Sequence, residues 1–292
     1  MNKKIVIIRT KAGHKYAERI AKKIRSLGGE CGITSWKNLK SYLEIHKCFT
    51  TRTLLHYRSA GPNINLTAFD LEKKGYRLIN SANILDRTSD KYKSYEWANK
   101  HGVALPITKK CTPKEIRRSI NTLPFHKFVL KPINSNGQGA LCFSSFVGDT
   151  EIDKKLSQVP GEKIILQQFV EYLKIYRVIV IGGKTVNQAV FYDEPNPNRW
   201  KVSVCLNPEI QHEKNPDPKL LSYATYITNI FKSEIAFVDI FLTKDGYVLS
   251  EINTACNLTQ HEDKSRYSIS NEIAKYLISQ LNKLNSEKMY IT

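Results

Sequence analysis

A lysine closes the apolar run Phe128–Lys131, and the segment after it, Pro132-Ile133-Asn134-Ser135-Asn136-Gly137-Gln138-Gly139, is small, polar and rich in glycine. Glycine admits backbone dihedrals that let successive N–H groups converge on an anion, and a lysine at a strand end adds a fixed positive charge. No Gly-Lys-Ser/Thr follows, so the pattern is not a Walker A loop; its chemistry is either phosphate binding or an ordinary hairpin loop. A second group of residues lies far along the chain. Asp239 interrupts the apolar run Phe237-Val238-Asp239-Ile240, and Glu251-Ile252-Asn253 ends the following run. A strand alternates its faces, so Glu251 and Asn253 share one side, and hairpin pairing can bring Asp239 beside them. Two carboxylates and an amide oxygen are hard ligands suited to Mg²⁺ bridging phosphates. The same three residues could equally form a structural hydrogen bond or salt bridge, because an acid inside an apolar strand needs a partner.

The elements that would position these groups begin with an alternation of strand and helix. Lys4–Arg9 reads as a buried strand, and Tyr16, Ala17, Ile20, Ile24 and Leu27 have helical spacing before the stop at Gly28-Gly29. A strand at 54–57, a helix at 66–74 and a strand at 76–79 complete a small βαβ-type unit with a parallel sheet. A helix is expected over 90–101. Thr112-Pro113 reads as an N-cap with proline at the first helical position. Strand-like runs then crowd together at 128–131, 140–143, 163–170, 176–181, 185–192 and 200–206. A helix at 218–231 precedes a hairpin, 234–243 with 247–253, turning at Lys244-Asp245-Gly246. A terminal helix spans 268–285. The expected division is an N-terminal α/β domain over 1–85, a central domain over 86–165 and a C-terminal domain with the metal site over 166–292.

The chain has 292 residues, 41% of them hydrophobic and 25% charged, which is an ordinary soluble composition. No apolar stretch is long enough to span a membrane, and Ile5–Ile8 is too short for a secretory h-region. Six cysteines at 31, 48, 111, 142, 205 and 256 form no CxxC pair, which fits reduced thiols in a cytoplasmic protein. The balance of 45 Lys+Arg against 27 Asp+Glu, a net +18, attracts anions. No zinc-finger, RNP or helix-turn-helix signature accompanies it, which argues against nucleic acid as the partner and leaves a solvated surface or an acidic peptide or carrier protein.

The two groups of residues, in this order, resemble the ATP-grasp superfamily and within it the RimK-like and LysX-like carboxylate–amine ligases, over roughly residues 54 to 280. Asn80-Ser81-Ala82, Asp90-Lys91 and Gly102–Thr108 resemble the entry to the ATP-grasp domain. Lys131-Pro132 with Ser135–Gly139 resembles the phosphate-covering loop, Gln167-Gln168-Phe169-Val170 the adenine hinge, and Arg177 with Val178–Gly182 the arginine-bearing strand after it. The resemblance implies an ATP-grasp fold behind a Rossmann-like N-terminal domain. It also implies an enzyme that forms an amide bond through an acyl-phosphate, using ATP and one or two Mg²⁺, or Mn²⁺ in their place. Lys91 and Lys131 would contact phosphates, with Ser135, Gly137 and Gly139 covering them. Gln167, Gln168, Phe169 and Val170 would hold the base through backbone groups. Asp239, Glu251 and Asn253 would bind metal, and Arg177 would act on the transferring phosphoryl group. Amino acids or peptides are the implied substrates, and the assembly is expected to be a dimer or tetramer. Arg58 reads as a residue of the loop after the strand at 54–57, a candidate to bind a substrate carboxylate bidentately, with Arg199 as a second substrate contact. A kinase that stops at phosphoryl transfer and a basic nucleotide- or nucleic-acid-binding protein on a decayed version of the fold are the alternatives. The chain departs from the ligase pattern at Ile175, where an aspartate is usual, at Gln168, where an acid is usual, and at Asn253-Thr254-Ala255-Cys256-Asn257, which lacks the usual Pro-Gly. Cys256 reads as a small packed residue.

Overall fold

A computed structural model describes residues 3–10, 14–59, 61–133, 142–196 and 210–284. The N-terminal unit is built as the alternation of patterns predicts, with additional elements. Strands β1 (Lys4–Arg9), β2 (Glu30–Ser35), β3 (Thr53–Arg58) and β4 (Arg77–Ile79) form a parallel sheet in the order β2-β1-β3-β4. Helices α1 (His14–Ser26), α2 (Leu39–Ile45) and α3 (Pro62–Lys73) connect them, and α4 (Ala82–Ser89) and α5 (Lys91–Lys100) follow. β2, α2 and α4 are additions to the sequence reading. β2 was masked by its mixed polarity, because it lies at the sheet edge, where only Cys31 and Thr34 are buried. The third helix starts at Pro62 rather than Leu66, with proline in its first turn.

The second sheet is antiparallel and carries the first lysine motif. It contains β5 (Thr108–Cys111), β6 (Lys127–Pro132), β7 (Phe143–Phe146) and β8 (Ile164–Gln168), in the order β5-β8-β6-β7. Helices α6 (Pro113–Ser119) and α7 (Ile152–Gln158) cover it through Ile116 and Leu156, against Phe128, Leu130, Ile164 and Leu166. α6 begins as its sequence predicts. The Thr112 hydroxyl accepts from the Glu115 N–H at 3.2 Å and the Glu115 carboxylate accepts from the Thr112 N–H, a closed capping box.

The third sheet is also antiparallel. It contains β9 (Lys174–Ile181), β10 (Lys184–Thr185), β11 (Val190–Asp193) and β12 (Gln211–Glu213), with α8 (Pro218–Phe231) crossing to β13 (Ile235–Thr243) and β14 (Gly246–Asn253). The strands run β12-β11-β9-β13-β14, with β10 folded back on β9. The single strand expected over 185–192 is instead β10, a 3₁₀ turn at Asn187–Ala189, and β11. Gly182 and Gly183, both at positive φ, fold β10 back on the end of β9, and the 3₁₀ turn then interrupts the pairing before β11 resumes it further along the same edge, since β13 occupies the other edge throughout. Helices α9 (Thr259–Ser265) and α10 (Ile269–Lys283) finish the described chain.

Each face of the third sheet has its own core. Val178, Val180, Ala236, Val238 and Ile252 meet Leu220, Ala224, Ile227 and Phe231 of α8, spaced for one helix face. Ile175, Ile179, Phe191, Ile235 and Phe237 face the opposite way, in the same cluster as Tyr16, Ile20 and Ile24 of α1 and Ile273 and Leu277 of α10. The N-terminal and C-terminal sheets are thus sewn together by one apolar layer.

Asn80 pins this junction. Its buried amide oxygen accepts from the Glu234 N–H at 2.7 Å and the Ile235 N–H at 3.1 Å, and its amide nitrogen donates to the Ile235 carbonyl at 2.8 Å. The start of β13, the strand that carries Asp239, is therefore held by a side chain from the N-terminal unit. Asn80→Ala removes an acceptor from two backbone donors and should cost about 2–4 kcal/mol of stability. Urea unfolding measures this; a loss no larger than that of the exposed Asn63→Ala would contradict it.

Candidate functional site

Three strands bring the charged residues of the third sheet abreast. Arg177 on β9 is in register with Asp239 on β13, and Asp239 is in register with Glu251 on β14. A bulge makes this arrangement compatible with the core. Asp239 pairs with Glu251 but Ile240 pairs with Leu249, so Ser250 is an extra residue. Leu249 and Glu251 would share a face in a regular strand. The extra residue lets Leu249 join Ile252 in the core beneath α8 while Glu251 stays beside Asp239. Beyond the bulge the strand is regular, and Asn253 lies two residues on, opposite Phe237.

Arg177 and Asp239 are both buried and form a two-pronged ion pair. Nε donates to Oδ1 at 2.8 Å and Nη2 to Oδ2 at 2.6 Å. Burial pushes the Asp239 carboxyl above its ordinary value against the pull of Arg177. Glu251 turns to a different cation, with the Lys91 ammonium donating to Oε1 at 2.7 Å. Burial alone would raise Glu251, but Lys91 outweighs it and, with Lys131 and Arg177, holds the carboxyl below its ordinary value. For Lys91, burial works against the charge and Glu251 overcomes it, leaving the ammonium raised.

Lys91 is the first residue of α5, where the helix dipole disfavours a cation. The Asp90 carboxylate caps that end by accepting from the N–H groups of Tyr92 and Lys93, at 2.8 and 3.0 Å. The Lys91 N–H donates to the Ile133 carbonyl at 3.2 Å, fastening the helix start to the end of β6, the strand that carries Lys131. Two lysines 40 positions apart in the sequence are thereby drawn to one cleft. Lys131 donates to the Gln167 side-chain oxygen at 2.7 Å, and the Gln167 amide nitrogen donates to the Thr108 hydroxyl at 2.9 Å. Burial pushes the Lys131 ammonium below its ordinary value, the expected state of a cation held by a neutral partner.

The cleft is lined by Lys91, Lys131, Gln167 and Glu251, with Thr88, Thr108, Leu105, Ile165 and Tyr95 among its walls. It joins cations to an apolar wall, the combination that an organic polyanion needs. Thr88 and Tyr95 belong to no motif read from the sequence, and Thr108 enters there only as the end of the Gly102–Thr108 segment, with no role in the site. A signal existed for Thr108, since a polar residue beside the hinge must face something polar when buried. Gln167 enters through its side chain rather than through the hinge backbone. At the hinge, the Gln168 N–H donates to the Ile107 carbonyl at 2.8 Å and the Phe169 N–H to the Lys127 carbonyl at 3.0 Å. Those two donors are engaged within the fold, and Val170 follows them at the strand exit.

Arg58 is the last residue of β3 and not a loop residue, because β3 runs one position beyond the apolar stretch that predicted it. It is buried, donates through Nη2 to the Cys256 carbonyl, and lies over the rings of Tyr16 at 5.0 Å and Phe237 at 5.8 Å. Ser135, Gly137, Gly139 and Arg199 lie outside the described residues. Among the described residues no group of three or more His, Cys, Asp or Glu is placed to hold a metal. Asp239 and Glu251 with the Asn253 amide supply two carboxylates and one neutral oxygen. That set fits Mg²⁺ completed by phosphate and water, not a cation caged by protein alone.

The RimK-like ATP-grasp domain family matches residues 88–277. No curated protein matches the sequence. The fold is similar to that of D-cycloserine synthetase DcsG, with a TM-score of 0.73, 15% identity and coverage of 95% of this chain and 99% of that one. D-alanine–D-alanine ligase from Bacillus anthracis complexed with ATP gives a TM-score of 0.70, 14% identity, and coverage of 98% and 99%. The ATP-grasp ligase PsnB complexed with minimal precursor, Mg and ADP gives 0.65, 12%, and coverage of 95% and 98%. At these identities the likeness is one of fold.

The lowered Glu251 carboxyl has a consequence for stability. A folded-state value below the unfolded one stabilises the protein above the ordinary carboxylate range, and that contribution is lost as pH falls through the lowered value. Glu251→Gln should therefore be less stable than the parent protein at neutral pH, with the gap closing on acidification. Urea unfolding from pH 7 to about pH 3 measures it; a gap that stays constant or widens would contradict the assignment.

Proposed function

The chain belongs to the RimK-like ATP-grasp family, and on that premise we propose that it is an ATP-dependent ligase that joins the carboxyl group of an amino acid or peptide to an amine. The observation that carries this reading is the meeting of Lys91, Lys131 and Glu251 in one cleft, with Arg177 and Asp239 abreast of Glu251 on the sheet. The fold likeness to ligases bound to ATP, or to a precursor with Mg and ADP, supports it.

A substrate carboxylate oxygen attacks the γ-phosphorus of ATP and the bond to ADP breaks, giving an acyl-phosphate. The amine nitrogen then attacks the acyl carbon, phosphate leaves, and the nitrogen loses a proton as the amide forms. This chemistry needs positioning and charge neutralisation more than a protein nucleophile. Lys131, whose charge is poorly compensated in its buried position, gains most from an incoming phosphate. Lys91 lies between Glu251 and the cleft and can share its ammonium between carboxylate and phosphate. Asp239, Glu251 and Asn253 would hold Mg²⁺, which when bound offsets charge on the nucleotide phosphates. Arg177 would act on the transferring phosphoryl group from its place beside Asp239. The apolar wall at Leu105 and Ile165 gives the base a surface to pack against.

The test is a screen of amino acids and short peptides, as acid and as amine, for stimulated ADP release with Mg-ATP. Release that depends on both partners is expected. Release with a carboxylate alone, indifferent to every amine, would make the protein a kinase. With a substrate pair in hand, Lys131→Ala and Glu251→Ala should each lower turnover at least ~100-fold while circular dichroism is unchanged. Near-normal turnover in both folded variants would overturn the assignment of the cleft.

A further inference from the structure

The positive charge is concentrated at one end of the chain. Residues 1–85 hold 17 Lys+Arg against 5 Asp+Glu, a net +12 of the total +18 in under a third of the sequence. The N-terminal sheet has two helical layers. One contains α1, which is packed against α10. The other contains α2 and α3, whose Leu39, Leu43, Ala68 and Leu71 cover Val6, Ile8, Leu55 and Leu78 on the opposite face of the sheet. The outer surface of this second layer exposes Lys37, Lys40, Lys47, Arg52, Lys73 and Lys74. Its acids are Glu44, Asp70 and Glu72, and Asp70 alone faces two of the cations, Lys40 and Lys74, each at 3.3 Å.

The same elements also expose apolar side chains. Ile45, Phe49, Leu66 and Phe69 are 75, 48, 68 and 37% exposed. They are four of the nine large hydrophobic side chains exposed among the described residues. A basic face that served only solubility would not need them, and exposed apolar side chains grouped with charge mark interaction surfaces. The layer lies one helix away from the cleft. α3 abuts α4, with the Asn65 amide nitrogen donating to the Ser89 hydroxyl at 2.8 Å, and Thr88 next to it lines the cleft wall.

We propose that the outer face of α2, α3 and the turn between α2 and β3 is a docking surface for an acidic, amphipathic polypeptide segment. Carboxylates on such a segment meet the lysines while its apolar residues cover Ile45, Phe49, Leu66 and Phe69. A nucleic-acid backbone fits less well, because its phosphates would engage the cations and leave Ile45, Phe49, Leu66 and Phe69 uncovered. An anionic bilayer fits less well too, since the apolar side chains come from two helices and a turn with acids among them, not from one side of a single amphipathic helix. The surface is separate from the cleft, so this inference can fail while the ligase reading stands, and the reverse. If both hold, the docked chain is the one presented for ligation.

The experiment uses the full chain and fluorescence anisotropy at low salt. The probe is a labelled peptide of about 16 residues made of Glu, Leu and Ser. The comparisons are the same peptide with Gln for every Glu, a single-stranded RNA of equal length, and vesicles of phosphatidylcholine with phosphatidylserine. The acidic peptide should bind more tightly than the Gln peptide, the RNA and the vesicles, and should weaken as salt rises to about 0.15 M, where the Debye length is about 8 Å. The combined variant Lys37→Glu, Lys47→Glu, Lys73→Glu should lose at least ~10-fold in peptide affinity while its melting temperature and Mg-ATP binding are unchanged, and Phe69→Ser should weaken the same contact. If the combined variant melts early, the Gln peptide reads the charge contribution on the unaltered protein. Equal affinity for the acidic and Gln peptides, no binding of the acidic peptide, no effect of charge reversal, or tighter binding of RNA or vesicles would each overturn the proposal.

Discussion

The buried pair of Arg177 and Asp239 constrains the rest of the site. Two charges removed from water in the middle of an apolar sheet are tolerable only with good mutual geometry, and the two-pronged contact at 2.8 and 2.6 Å supplies it. Because both side chains project from strands in direct register, β9 and β13 cannot slip without stranding a charge. That register carries Glu251 to the edge of the same row, and from there the chain of charges passes to Lys91 in the cleft. The row therefore changes from a sealed ion pair to an open one across a single strand. Glu251 keeps a third of its side chain exposed, whereas Asp239 is nearly closed off. A ligand entering from the cleft meets Lys91, Lys131 and Glu251 first and Arg177 with Asp239 behind them.

This row is supported from outside its own sheet. Asn80 fixes the first residues of β13, and Glu234 beside it accepts from Arg77 at 2.6 Å and from the Tyr276 hydroxyl at 2.8 Å. At the other end of the junction, Glu262 on α9 accepts from the Tyr16 hydroxyl at 3.3 Å and from Arg19 at 3.2 Å, both on α1. Charged and polar contacts thus frame an apolar layer that by itself would set no register. The bulge at Ser250 has a comparable role on a smaller scale, since it keeps Glu251 toward its partners while Leu249 remains in the core.

The N-terminal unit divides its labour between its two helical layers. The α1 side is committed to the rest of the molecule through Tyr16, Ile20 and Ile24. The α2 and α3 side leaves its apolar and basic side chains to solvent. Burying one layer inside the protein and presenting the other outward lets a small parallel sheet serve both as a wall of the core and as a surface open to a partner.

Much of this was legible in the amino-acid sequence by itself. Patterns with short periods and local caps determined β1, α1, α5, α6, α8 and the β13–β14 hairpin, because a strand, a helix face or a capping box depends on residues a few positions apart. The lysine at the end of β6 and the acids of the hairpin were likewise visible as polar residues breaking apolar runs. The sequence did not reveal β2, whose edge position leaves no alternation, nor the break of 185–192 into two strands, where a 3₁₀ turn interrupts the pairing along one edge of β9. It placed Arg58 in a loop, although the strand continues through it. Only tertiary structure decided that Glu251 pairs with Lys91 while Asp239 pairs with Arg177, that Gln167 supports Lys131 through its side chain, and that Asn80 holds β13. Those contacts join residues 36 to 160 positions apart, and their geometry follows from sheet register and from how three sheets meet, which no local pattern encodes.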